Sequence, residues 1–122
     1  MKTTWIAAIT AAIISVSAAC GTASAESRLS GKEIRSLFPG NFQARVDNAM
    51  NVTVRAHANG TLAGELMGRR DTGIWSINGN QLCIRWSVWL GGTTKCRYVE
   101  RAGNTFRLVS ASGKVGLVFA RY

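Results

Sequence analysis

Cys83 and Cys96 enclose two tryptophans, an arginine and a Gly-Gly pair in the stretch QLCIRWSVWLGGTTKC. Residues of these types offer three chemistries: thiol redox, metal ligation, or aromatic and guanidinium contacts to a ligand. Redox pairs are usually spaced Cys-x-x-Cys, whereas twelve residues lie between these two. A zinc site needs four ligands, and His57 is the only histidine that could join two thiolates. The spacing therefore points to a structural disulfide, with no metal and no cofactor expected. In the chain-entropy account such a loop closure restricts the unfolded chain by ~3 kcal/mol.

Catalysis finds little support. There is no Gly-x-Ser-x-Gly elbow. His57 sits on the polar side of an alternating stretch, and the acids that could pair with it for proton transfer are Glu65 or Asp71. No catalytic residue is expected, and His57 with one of those acids is the enzymatic alternative. Binding is better supported, because Trp75, Trp86 and Trp89 fall close together with Arg85, Arg97 and Tyr98 beside them. Alternation places Leu82, Ile84 and Trp86 on one face and Arg85 with Cys83 on the other. Trp75 and Trp86 are read as core. Trp89 falls in a loop, where an indole either folds back as a lid or meets a ligand. The candidate binding residues are Trp89, Arg85, Arg97, Tyr98 and Trp86. Arg85, Lys95, Arg97 and Arg107 occupy alternating positions and are expected to align as one basic face suited to phosphate or carboxylate groups.

The elements that must position these residues are short. Ser30-Gly31-Lys32-Glu33 is a capping box, Ile34, Leu37 and Phe38 follow at helical spacing, and Pro39-Gly40 stops the segment, so a helix is expected over 31–37. After Gly40 the chain reads as strands and turns. Val52, Val54, Ala56 and Ala58 alternate with Thr53, Arg55 and His57, and Asn59-Gly60 supplies a hairpin turn. Further strands are expected at 61–67, 74–77, 81–86, 94–100, 105–110 and 114–120. Turns fall at Gly68 to Asp71, at 78–80, at Gly91-Gly92, at 102–104 and at Ser112-Gly113. Seven or eight strands with connections too short for a crossover helix must pair antiparallel with their sequence neighbours. Closure into an up-and-down barrel removes the edges, and an open sandwich is the alternative. Cys83 and Cys96 then lie opposite each other and pin the base of a loop from Trp86 to Thr93.

Residues 1–25 read as a signal peptide. Lys2 precedes an apolar stretch, Trp5 to Ala19, that is shorter than the ~20 residues of a membrane-spanning helix, and Ala23-Ser24-Ala25 favours cleavage before Glu26. Ser17-Ala18-Ala19-Cys20 offers an alternative, a lipid anchor at Cys20, although Ser17 stands where an aliphatic residue is usual. Residues 26–122 form one domain. Without Lys2 the chain has 14 basic and 6 acidic residues, a charge of +8 that attracts polyanions.

The run Asp71-Thr72-Gly73-Ile74-Trp75, with Gly79-Asn80-Gln81-Leu82-Cys83, Trp86, Cys96, Gly103 and Gly113, resembles a group of small exported β-rich alphaproteobacterial proteins of uncharacterised function. Gly73-Ile74-Trp75 is also similar to the Gly-x-Trp of lipocalin and avidin-type barrels. In those the motif lies on the first strand and a late arginine covers the tryptophan, a part that would fall here to Arg121. The sequence thus sets out a periplasmic or secreted binding protein that contacts an anionic envelope polymer or lipid. The alternative is a protein-directed inhibitor or assembly factor acting on a periplasmic protein. An exported location makes nucleic acid a poor partner.

Overall fold

The computed structural model describes residues 27–46 and 50–122; the expected signal peptide, the cleavage point before Glu26 and Cys20 lie outside the described residues. A helix, α1 (Gly31–Leu37), precedes eight strands: β1 (Gly40–Val46), β2 (Met50–Ala56), β3 (Thr61–Leu66), β4 (Arg69–Asn78), β5 (Gln81–Trp86), β6 (Thr94–Ala102), β7 (Thr105–Val109) and β8 (Val115–Arg121). Every strand pairs antiparallel with its sequence neighbours, and β8 returns to β1, so the sheet is a closed up-and-down barrel rather than a sandwich.

Local chemistry accounts for the turns. Asn59 Oδ1 accepts from the Thr61 amide at 3.1 Å, and Gly60 carries the positive φ that the β2–β3 turn requires. The β3–β4 connection is tighter than the expected Gly68–Asp71 turn. Met67 and Gly68 both take positive φ, 49° and 79°, and reverse the chain in two residues. Arg69 to Asp71 therefore belong to β4, which runs well beyond the expected 74–77.

At one end, α1 plugs the barrel. Ser30 Oγ accepts from the Glu33 amide and Glu33 Oε1 accepts from the Ser30 amide, both at 3.2 Å, which completes the capping box. Ile34 and Leu37 face the core with Phe38, which joins Phe42 and Phe119 beneath the helix. The strap before the helix is fastened to β6. Leu29 N–H donates to the Val99 carbonyl at 2.8 Å, and Glu100, only 3% exposed, lies between Arg28 and Arg107 at 3.7 and 3.4 Å.

The start of α1 sits against the β4–β5 turn. Gly31 N–H donates to Asn80 Oδ1 at 2.9 Å, and a Cβ at position 31 would overlap the Gly79 carbonyl oxygen. Alanine normally improves a helix by up to ~1 kcal/mol over glycine. Here Gly31→Ala is expected to destabilise by about 1–3 kcal/mol, because the plug must lift from the turn. A thermal melt decides the sign, and an unchanged or higher midpoint contradicts this seating.

Candidate functional site

Eight strands enclose just enough room for their own side chains to fill, or for one small ligand. In this barrel several inward positions carry small residues, among them Ala44, Val52, Val54, Gly64 and Gly116, so the interior is not filled. What remains is a cavity of about 530 Å³, within the usual range for small-molecule sites. Phe38, Phe42 and Phe119 form its floor, with ring centroids 4.6 Å apart for the first two and 5.6 Å for the last two. Leu62, Leu66, Ile84, Leu108 and Leu117 line the walls, and Met50, Trp89 and Leu90 stand at the end opposite α1.

Two cations break this apolar lining. Lys95 lies opposite Ile84 and Arg97 opposite Leu82, so both occupy inward positions of β6. Arg97 is half-buried. Its Nη1 donates to the Cys96 carbonyl at 2.8 Å, the only partner it has among the described residues. A guanidinium offers five N–H donors, so most of its capacity is left for water or a ligand at the cavity it lines. Lys95 is exposed at the mouth and has no acid partner among the described residues.

The five candidate binding residues therefore divide. Trp86, Trp89 and Arg97 share the interior. Arg85 is exposed on the outer wall, opposite Ile74 and Thr94. Tyr98 is on the outer wall as well, where the Arg28 guanidinium lies 4.5 Å above its ring. The expected basic face does not form, because alternation sends Lys95 and Arg97 inward while Arg85 and Arg107 stay outside. Trp75 packs on Phe38, with centroids 5.5 Å apart, whereas Arg121 lies beside Gly40.

The β5–β6 connection forms a flap over the mouth. Its base is the Cys83–Cys96 disulfide, which joins directly opposed residues with Cα atoms 4.0 Å apart. A 3₁₀ turn (Trp89–Gly92) kinks where Leu90 and Gly91 enter the left-handed region, at φ 57° and 68°. Trp89 folds back against Trp86, centroids 4.8 Å apart, and both rings lie over Gly64. A Cβ at position 64 would come within 2.6 Å of Trp89 and 2.7 Å of Trp86, so glycine there is what makes room for the pair. Trp89 is thus a lid that also lines the cavity.

Asp71 fastens this lid. It is 8% exposed and occupies an inward position on β4, where its carboxylate accepts from the amides of Trp89 at 2.9 Å, Val88 at 3.0 Å and Thr72 at 2.8 Å. Desolvation pushes its pKa up, but these three donors outweigh it and leave the carboxyl below the ordinary 3.8. Gly64 was not among the residues singled out by sequence, Lys95 was placed there in a basic face rather than in a cavity, and Asp71 was named only as a possible acid partner of His57. A glycine inside an otherwise apolar strand was the available signal for Gly64, and counting alternation from Cys96 was the signal for Lys95.

The enzymatic alternative is not assembled. His57 follows β2 at the α1 end, Glu65 pairs with Arg70 at 3.7 Å near the mouth, and Asp71 is committed to the flap. The hollow that His57 lines with Arg85, Thr72 and Ser87 includes no acid. Among the described residues no cluster of His, Cys, Asp and Glu could hold a metal ion, and no helix is long and apolar enough to cross a membrane. No protein-family model, curated protein or solved structure matches the chain.

The lowered pKa of Asp71 fixes the sign of a pH effect. A carboxyl more acidic in the folded state contributes its stabilisation above the unfolded value and loses it as pH falls through the folded one. The flap should stay shut at neutral pH and loosen only as the pH falls below the ordinary carboxylate value of 3.8. Asp71→Asn should resemble the acid form at every pH, with amide exchange at Val88 and Trp89 raised roughly tenfold or more. Tryptophan emission and amide exchange followed together test this. Equal protection of the two amides in both proteins at pH 7 would refute the anchoring role.

Proposed function

We propose that the protein is an exported binding protein that takes one anionic amphiphile of single-chain build into its barrel. The observation that carries this reading is Arg97, which with Lys95 breaks an apolar cavity lining and whose partner among the described residues is a single carbonyl oxygen. A cation in such a place is costly unless it meets an acceptor. A carboxylate or phosphate ester with an apolar tail supplies both parts: the head accepts from Arg97 with Lys95 nearer the mouth, and the tail displaces water from the phenylalanine floor. Trp86 and Trp89 would then close over the occupant. In a cell envelope, free fatty acids and lysophospholipids have this chemistry.

The test compares a long-chain fatty acid with the alcohol and the amine of equal length, by quenching of tryptophan emission. The acid should bind at least tenfold more tightly than the alcohol, the amine should bind weakest, and Arg97→Met should remove most of the acid's advantage while leaving the alcohol unchanged. If the three compounds bind alike, or none enters, the reading is wrong.

A further inference from the structure

The end of the barrel opposite α1 carries a concentration of exposed apolar side chains. Seven large hydrophobic residues are exposed among the described residues, and five of them, Met50, Met67, Val88, Leu90 and Val115, belong to the strand ends and turns that ring this mouth. Met67 is 85% exposed, Val88 74% and Leu90 64%, so the fold gains little from their apolar surface.

The backbone makes the same point independently. Met67 and Leu90 are the two residues other than glycine with positive φ among the described residues. The left-handed region suits glycine, asparagine or aspartate, and a bulky side chain there is disfavoured. At both positions the chain instead keeps a large hydrophobe that is directed to solvent.

Charge identifies the partner. Arg45, Arg69, Lys95 and Lys114 are exposed at this end and have no acid partner among the described residues. Of the acids near this end, Glu65 faces Arg70 and Asp71 holds the flap, while Asp47 lies outside the described residues; Glu100, farther along β6, is taken by Arg28 and Arg107. Separate apolar tips set among cations do not make the contiguous face that a protein interface needs. They do suit a fluid anionic surface, in which each tip sinks independently while basic residues meet lipid phosphates.

We infer that the mouth of the barrel docks on anionic lipid bilayers. The tips of Met67, Val88 and Leu90 enter the headgroup layer, and the cations hold the barrel upright with its opening against the lipid. The docking rests on the surface of the mouth and not on what occupies the cavity.

Flotation with vesicles tests it. Phosphatidylglycerol–phosphatidylcholine vesicles should carry the protein, and phosphatidylcholine alone should carry far less. High salt should weaken the binding, and Lys114→Glu should lower it roughly tenfold. Met67→Asn is the sharper variant, because its two effects have opposite signs. The melting temperature should rise by a few degrees as the left-handed turn relaxes, while vesicle affinity falls about tenfold. Met67→Glu with Lys114→Glu should abolish flotation while binding of the fatty acid is retained. Loss of flotation with retained fatty-acid binding supports docking, as does flotation by a protein that takes up no fatty acid, which would remove the binding reading alone. Equal flotation with both kinds of vesicle, none with either, or flotation of the double variant at the wild-type level overturns the inference.

Discussion

The ladder between β8 and β1, from Phe42 opposite Arg121 to Val46 opposite Leu117, turns a twisted meander into a closed surface. Without it the sheet has two open edges and the alternation of side chains has no enclosed side. Closure places every second residue of eight strands in a single compartment, and the sizes of those residues then decide whether it is solid or hollow. Here the phenylalanines gather beneath α1, and alanine, valine and glycine occupy several positions above them. The α1 end is packed as a core, and the other end stays open.

The barrel treats buried charge in two ways. Glu100 lies under the strap with a guanidinium on either side, so its charge is matched within the protein. Arg97, which lies nearby on the same strand but faces inward, has only a backbone carbonyl as partner among the described residues. The wall thus matches Glu100 with side chains, whereas the interior matches Asp71 with backbone amides and leaves most of the Arg97 guanidinium unmatched among the described residues. Packing alone gives no reason to keep Arg97 there, since an aliphatic side chain would fill the position without the desolvation cost of a cation.

Much of the architecture was legible because the connections are short. Glycine and asparagine punctuate strands too closely spaced for any crossover, and the midpoint between Cys83 and Cys96 fixes one hairpin register directly. That register also puts Arg97 opposite Leu82, so its inward direction was implied by residues already in view. Other features depend on contacts between distant segments. Tyr98 is claimed by Arg28 only because the strap crosses β6. Asp71 reads as one more charge near a turn until Val88 and Trp89 fold back onto it. The extent of β4 was hidden for a local reason, since Met67 adopts a conformation that its side chain does not advertise.

The plug formed by α1 also has a kinetic consequence. Its seating against the Gly79–Asn80 turn and the phenylalanine layer closes that end, so under the proposed function a guest would leave by the route it took in. Arrival and departure then share one gate, and a newcomer has to wait for the previous guest to go. Under the proposed function, residence time would be governed at the rim, where the indole of Trp89 covers the mouth.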